Sequence, residues 1–247
     1  MNEYNNNNRG VYLNGKLVQQ GSDQYNAYFD ETFINDVMIR SFMMMFIAVL
    51  ITAMVALYTA TSGLYHVIFR NGFTLIVLCI AEFAVVIYGN KTIARNDAVM
   101  SAIMLGIYSI LNGILFSSIL LAYNIQSIVY VFFITSVMFG ITAAFGYLTK
   151  KSLASWGTYL MMGLVGILIA MIVNMFVGSS QIDFIVSVIG VILFVGITAY
   201  DTQRIKAMAA MNVGYSMMTL GVFGALQLYM DFINLFLYLL RIFGRRD

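Results

Sequence analysis

The chain has 247 residues, of which 61% are apolar and only 10% charged, with a mean hydropathy of +0.87. Soluble domains average about 45–50% apolar and about 25% charged residues, so the composition is that of a multi-span membrane protein. The net charge of +2 includes no basic run suited to nucleic acid. One cysteine (Cys79) and one histidine (His66) exclude disulfide frameworks, Cys-based zinc clusters and two-histidine mechanisms.

Residues 1–36 are the one extended polar stretch. They hold Asn5 to Asn8, the acids Glu3, Asp23, Asp30, Glu31 and Asp36, and the bases Arg9 and Lys16. No apolar periodicity is visible, and the stretch reads as a disordered cytoplasmic tail. Beyond it the chain is a series of apolar runs with short polar breaks. A helix needs about 20 residues to cross the ~30 Å hydrocarbon layer, which predicts spans at 38–61, 72–92, 98–122, 126–149, 154–178, 182–207 and 215–242. Lipid offers no partners for free backbone groups, so each span is a helix. The connections are too short for separate domains, so 37–243 reads as one all-α, seven-transmembrane-helix domain. Proline is absent, which leaves glycines such as Gly190, Gly196, Gly221 and Gly224 as the places where a helix would distort.

Basic residues set the orientation. Through the sixth span, Arg9, Lys16, Arg40, Lys91, Arg95, Lys150, Lys151, Arg204 and Lys206 fall on the side of the N-terminus, against Arg70 on the other. The positive-inside rule then puts the N-terminus in the cytoplasm. A seventh crossing exports Arg241, Arg245 and Arg246, whereas a re-entrant segment would keep them inside. The length of 215–242 favours crossing.

An ionisable residue inside an apolar helix costs about 2.5–3.5 kcal/mol on insertion scales, so each is a candidate for function. Asp231 sits in the seventh span on a polar stripe. Gln227, Asp231, Asn234 and Tyr238 follow i, i+4, i+7, i+11, which is one helical face. Such a stripe faces the bundle interior, as an ion path or as a hydrogen-bonded packing seam. Asp201, near the end of the sixth span, shares a face with Ser187, Phe194 and Thr198. It lies three residues before Arg204, so an interfacial ion pair is its competing role. Helices adjacent in sequence tend to adjoin in space. The two carboxylates can therefore meet if the link between the helices occupies about 209–218; a last helix starting at 212 would leave Asp231 too deep. Glu82, near the middle of the second span, has no charge partner on its own helix. Tyr108 and Asn112 on the third span are candidate partners. His66 falls in a loop, the methionines at 43–45 and 161–162 suit lipid or core rather than metal, and the Asn90-Lys91-Thr92 sequon lies on the cytoplasmic side.

Val186 to Asp201 (VSVIGVILFVGITAYD), with Gln203 and Ile205, resembles the sixth helix of Bax-inhibitor-one-like proteins of the bacterial type. Tyr229 to Arg241 (YMDFINLFLYLLR) resembles their closing helix. Arg40, Glu82 and the seven apolar segments extend the resemblance over about 38–243. It implies a seven-helix bundle with the last helix near the centre, and a pH-sensitive calcium leak whose acidic pair maps onto Asp201 and Asp231. The family's latch arginine has no direct counterpart. Ile93 stands where it is expected, flanked on different helical faces by Lys91 and Arg95, either of which is a candidate latch unless the latch itself differs, and the segment between the two aspartates is longer than in the family.

Two carboxylates in a low-dielectric setting cannot both ionise freely, so the pair shares a proton. The shared proton would hold the last two helices together; its loss would create repulsion and an oxygen-rich site for transient calcium. No resident cofactor is expected: calcium is the permeant ion and the bilayer the constant partner. A non-conducting regulator is the alternative, since the resemblance links such proteins to cell-survival signalling and to a membrane-bound protease. An intramembrane hydrolase would need more histidines, or a histidine at membrane depth, so an enzyme is not expected. A bacterial inner membrane is the expected location, favoured by the compact loops. A reporter fused after Asp247 is expected to read on the non-cytoplasmic side; a cytoplasmic signal would contradict seven crossings with this orientation.

Overall fold

In the computed structural model the described residues are 10–13, 16–19, 23–70, 72–211 and 214–245. The chain opens with an antiparallel hairpin, β1 (Gly10–Leu13) and β2 (Lys16–Gln19), with Val11 opposite Val18 and Tyr12 opposite Leu17. This corrects the expectation of a structureless tail. The Asn14-Gly15 dipeptide between two short apolar-rich runs is a strong local hairpin signal in the sequence. The rest of the predicted tail before Asp23 (residues 1–9, 14–15 and 20–22) lies outside the described residues. Helix α1 (Asp23–Thr61) begins well before the apolar run that predicted it.

A short helix α2 (Leu64–Ile68) follows, and six long helices complete the fold: α3 (Gly72–Ala94), α4 (Ala98–Ala122), α5 (Ile125–Leu148), α6 (Trp156–Val177), α7 (Ser180–Ala210) and α8 (Met217–Phe243). Among the described residues seven helices are long and apolar enough to cross a membrane, and their limits follow the predicted spans closely. His66 lies on α2, exposed, rather than in a loop. Without proline, the chain ends and restarts helices through polar caps. Asp97 Oδ1 accepts from the Met100 amide at 3.0 Å, Asn124 Oδ1 from Gln126 at 3.0 Å and Ser216 Oγ from Thr219 at 3.1 Å.

Contacts between turns fix which helix ends lie together. At one end Tyr147 donates from its hydroxyl to Asn35, and Lys206 Nζ donates to the Tyr147 carbonyl at 2.9 Å. There too Gln203 spans the α5–α6 connection, accepting from Leu153 N at 2.6 Å and donating to Lys151 O at 2.9 Å. At the other end Arg241 pairs with Asp183 at 3.8 Å, and the Asn124 amide donates to Arg245 O at 2.9 Å. α8 therefore runs the full depth of the bundle and does not turn back.

α8 is the central helix. Of its most apolar stretch 72% is buried, against 33% or less in each of the other six spans. α1 and α7 pack most extensively on it, with α5 and α4 completing the surround. The glycines expected to distort helices instead let neighbours approach within continuous helices. Gly190 receives the Tyr238 ring, Gly196 receives Leu160, Gly221 lies against Arg40, and Gly224 receives Ser41 and Ile205. The closest approach to another helix's backbone is at Gly146 of α5, where an added Cβ would overlap the Ala199 carbonyl of α7. Gly146→Ala should separate α5 from α7 at a cost of about 1–3 kcal/mol, seen as a lower melting temperature in detergent. Gly166→Ala on α6, where a Cβ meets nothing within 4 Å, should be neutral or stabilising. Equal shifts in both variants would contradict this packing.

Candidate functional site: a buried carboxylate pair

Asp201 and Asp231 are both buried, at 6% and 3% exposure. The link between α7 and α8 occupies 211–216, within the predicted 209–218, and the helices lie side by side with Asp201 and Asp231 as electrostatic neighbours. The register is set by a third residue. The Gln227 amide lies beside the Asp201 carboxylate, so those two are level to about a turn and Asp231 lies one turn, about 6 Å, deeper. Side chains lean toward the N-terminus of their own helix. In this antiparallel pair Asp201 leans into the bundle and Asp231 leans back toward it, which closes the difference.

Few donors serve the pair. Thr198 and Thr202 flank Asp201 on α7, yet each spends its hydroxyl hydrogen on its own helix, on Phe194 O at 2.8 Å and Thr198 O at 2.7 Å. Asp231 Oδ2 is buried with no hydrogen-bond partner. Arg204, one turn beyond Asp201, is the cation that bears on it, with its guanidinium 5.6 Å from the centre of the Phe223 ring.

The predicted polar stripe of α8 divides in two. Gln227 and Asp231 meet Asp201. Asn234 does not join them; its amide donates to Met230 O of its own helix at 2.8 Å. Tyr238 packs against Gly190, Phe194 (ring centres 5.7 Å apart) and Met171, and the Arg241 guanidinium lies 5.6 Å from its ring centre. Aromatic packing thus separates the carboxylate pair from the Arg241–Asp183 ion pair.

Glu82 belongs to a different cluster, on the other side of α8. Its electrostatic neighbours are Tyr108 and Tyr229, and its Oε1 is buried without a partner. Asn112 donates to the Tyr108 carbonyl at 3.1 Å. Tyr229, fully buried, lies 2.7 Å from Thr52 Oγ1. Thr52 has one hydroxyl hydrogen, directed to the carbonyls of Ala48 (2.9 Å) and Ser109 (3.0 Å), so Tyr229 is the donor between them. This cluster ties α1, α4 and α8 together. Tyr229 and Thr52 were not picked out from the sequence, because a tyrosine and a threonine within apolar runs carry no charge to mark them.

The expected latch residues lie elsewhere. Lys91 and Arg95 are exposed, and among the described residues no ion pair joins either to Asp201 or Asp231. The tie from the α3–α4 turn to α8 is made by the neighbour of Arg95. Asn96 takes a left-handed backbone (φ 58°), accepts from Ser216 N at 2.8 Å and donates to Gly214 O at 3.3 Å. Asparagine is among the few non-glycine residues that tolerate that region, which is the one signal its position offered. Met43, Met161 and Met162 are exposed on the lipid-facing surface.

The family model described as "Inhibitor of apoptosis-promoting Bax1" matches residues 34–247. The chain belongs to this Bax-inhibitor-one-like family. It is 42% identical to the inner membrane protein YbhL of Escherichia coli over 206 residues, 82% of this chain and 88% of that one. It is 37% identical to RP147 of Rickettsia prowazekii over 226 residues (90% and 94%) and 37% identical to a protein of Borreliella burgdorferi over 215 residues (86% and 93%). The chain is thus an integral multi-pass membrane protein whose relatives include a bacterial inner membrane protein.

In this member of the family, Gln227→Leu should remove the amide that lies beside Asp201 and cost about 1–3 kcal/mol. Asp231→Asn should be neutral or stabilising, since it removes a like charge and a carboxylate oxygen that has no partner. Thermal unfolding in detergent reads both. Stability unchanged by Gln227→Leu, or strongly reduced by Asp231→Asn, would contradict the geometry described.

Proposed function

We propose that the protein is a pH-sensitive cation leak, with calcium as cargo, closed by the Asp201–Asp231 pair at the α7–α8 contact. The single observation behind this reading is the burial of two neighbouring carboxylates at the helix contact, one with an oxygen that nothing satisfies. Two carboxylates at short range in a low dielectric hold one proton between them, and that proton bonds α7 to α8. The bond is lost when the proton leaves, because two like charges then repel. It is equally lost when a second proton arrives, because a charge-assisted bond becomes an ordinary one that water can replace. Flux is therefore lowest where one proton is held and rises on both sides, with cation selectivity on the alkaline side, where the pair is fully charged.

Calcium takes six to eight oxygens. Among the described residues no cluster of three or more acidic, histidine or cysteine side chains could hold a metal. Two carboxylates and the Gln227 carbonyl suit an ion in transit better than a resident one. Glu82 enters this scheme as a separate polar station rather than a member of the pair, and Asn234 as a helix-bonded amide. Arg204, rather than Lys91 or Arg95, is the base that restrains Asp201. We orient the N-terminus to the cytoplasm from the basic residues and place the protein in a bacterial inner membrane, as its relative YbhL is. No enzymatic step is part of this function.

A non-conducting regulator that binds a partner, such as a membrane-bound protease, is a second reading, favoured by the family's description as an inhibitor. Calcium flux into vesicles containing the purified protein, measured across pH, separates the two. The leak predicts a flux minimum in the wild type that Asp201→Asn and Asp231→Asn both abolish. Absence of flux, or a wild-type pH profile retained in either variant, would contradict it.

A further inference from the structure

One apolar space in the bundle is unused by the carboxylate pair. α4 and α5 are joined by only Tyr123 and Asn124, yet they splay apart instead of packing together, and α1 does not close the gap against α5. The opening is floored by α8 and contains a cavity of about 220 Å³, whose walls include Val49, Ala53, Phe116, Ile128, Phe232 and Phe236. Thr52 contributes the one side-chain oxygen, and its hydroxyl is already committed to Tyr229 and two carbonyls. The wall supplied by α1 runs from Val49 to Leu57, about 12 Å along the helix.

We propose that this lateral window holds one acyl chain of a bilayer phospholipid, entering from the leaflet at the α4–α5 turn. The window opens at hydrocarbon depth between two membrane-spanning helices, and its rim residues Leu57 and Ile125 are exposed there. Its volume exceeds the roughly 150 Å³ at which an apolar protein cavity already takes up a benzene-sized hydrocarbon. A helix, about 10–12 Å across with its side chains, does not fit. The entrance also carries a charge of the right sign. Arg245 is held at the turn by its backbone, with its N–H donating to Ser127 Oγ at 3.3 Å and its carbonyl accepting from Asn124, and its side chain is exposed at headgroup level, where a phosphate would lie.

A chain seated here differs from the surrounding lipid because it reaches the central helix. Phe232 follows Asp231 directly, and its ring meets those of Phe132 and Phe139 edge-on, each at 5.5 Å between centres. An acyl chain packed on Phe232, Ile233 and Phe236 braces the segment of α8 that carries Asp231, so lipid occupancy and the position of the carboxylate are linked.

The test is photolabelling of the full chain in vesicles of a phosphatidylglycerol that carries a diazirine on one acyl chain, with the labelled residues located by mass spectrometry. Label is expected on Phe232, Ile233 or Phe236 of the otherwise enclosed helix, besides the general labelling of exposed positions such as Phe133 and Ile169. Ala56→Trp, which fills the cavity, should reduce the α8 label at least tenfold and leave Phe133 and Ile169 unchanged; Ala53→Phe at the rim gives the same readout if the first variant fails to fold. Label confined to exposed helix faces, α8 label that persists in both variants, or α8 label obtained only with a diazirine free fatty acid would overturn the proposal.

Discussion

The interior depends on how α8 is held. A helix placed at the centre of a bundle has no face left for lipid, so every polar atom it carries must find a partner inside the protein. α8 carries Gln227, Tyr229, Asp231, Asn234 and Tyr238, and each is answered differently. Gln227 takes Asp201, Tyr229 takes Thr52, Asn234 takes its own backbone and Tyr238 takes Met171 and the aromatic face of Phe194. Asp231 alone keeps a buried oxygen without a partner, beside a second carboxylate. Leaving a buried acceptor unsatisfied costs about 1–3 kcal/mol, which packing does not require and hydrophobic residues would avoid.

The surrounding helices make that arrangement rigid on one side and yielding on the other. Gly146 brings α5 onto the backbone of α7, Gly224 receives the Ser41 side chain of α1 against α8, and Thr52 adds hydrogen bonds across α1, α4 and α8. The end of α7 just beyond Asp201 is secured by Gln203 and Lys206 to the α5–α6 connection and to Tyr147. By contrast α3 packs mainly on α4 and only lightly on α8, and the α4–α5 gap leaves a cavity rather than a packed helix over Phe232 and Phe236. A change at the carboxylate pair therefore meets resistance at the basic end of the bundle and little between α4 and α5.

The features legible in the sequence were those the bilayer enforces. Seven apolar runs had to be seven helices, because no other backbone arrangement is satisfied in lipid. Asp201 and Asp231 stood out because a charge in such a run is costly, and the resemblance added the central place of the last helix. What escaped was decided by tertiary partners. The stripe from Gln227 to Tyr238 is one face by spacing, yet Phe194 and Gly190 on α7 split it. Asn96 rather than Lys91 or Arg95 ties the α3–α4 turn to α8, through a left-handed backbone that composition does not report. The paired strands 10–13 and 16–19 and the early start of α1 at Asp23 precede the apolar run, in a polar stretch where hydrophobic periodicity does not mark the elements.

The central claim is that Asp201 and Asp231 act as one unit holding a single proton. Infrared difference spectroscopy of the lipid-reconstituted protein across pH tests it most directly, through the C=O stretch of a protonated carboxyl. A shared proton predicts one such band that both Asp201→Asn and Asp231→Asn displace and that Glu82→Gln leaves in place. A band moved by only one of the two aspartate variants would show independent carboxyls and contradict the account.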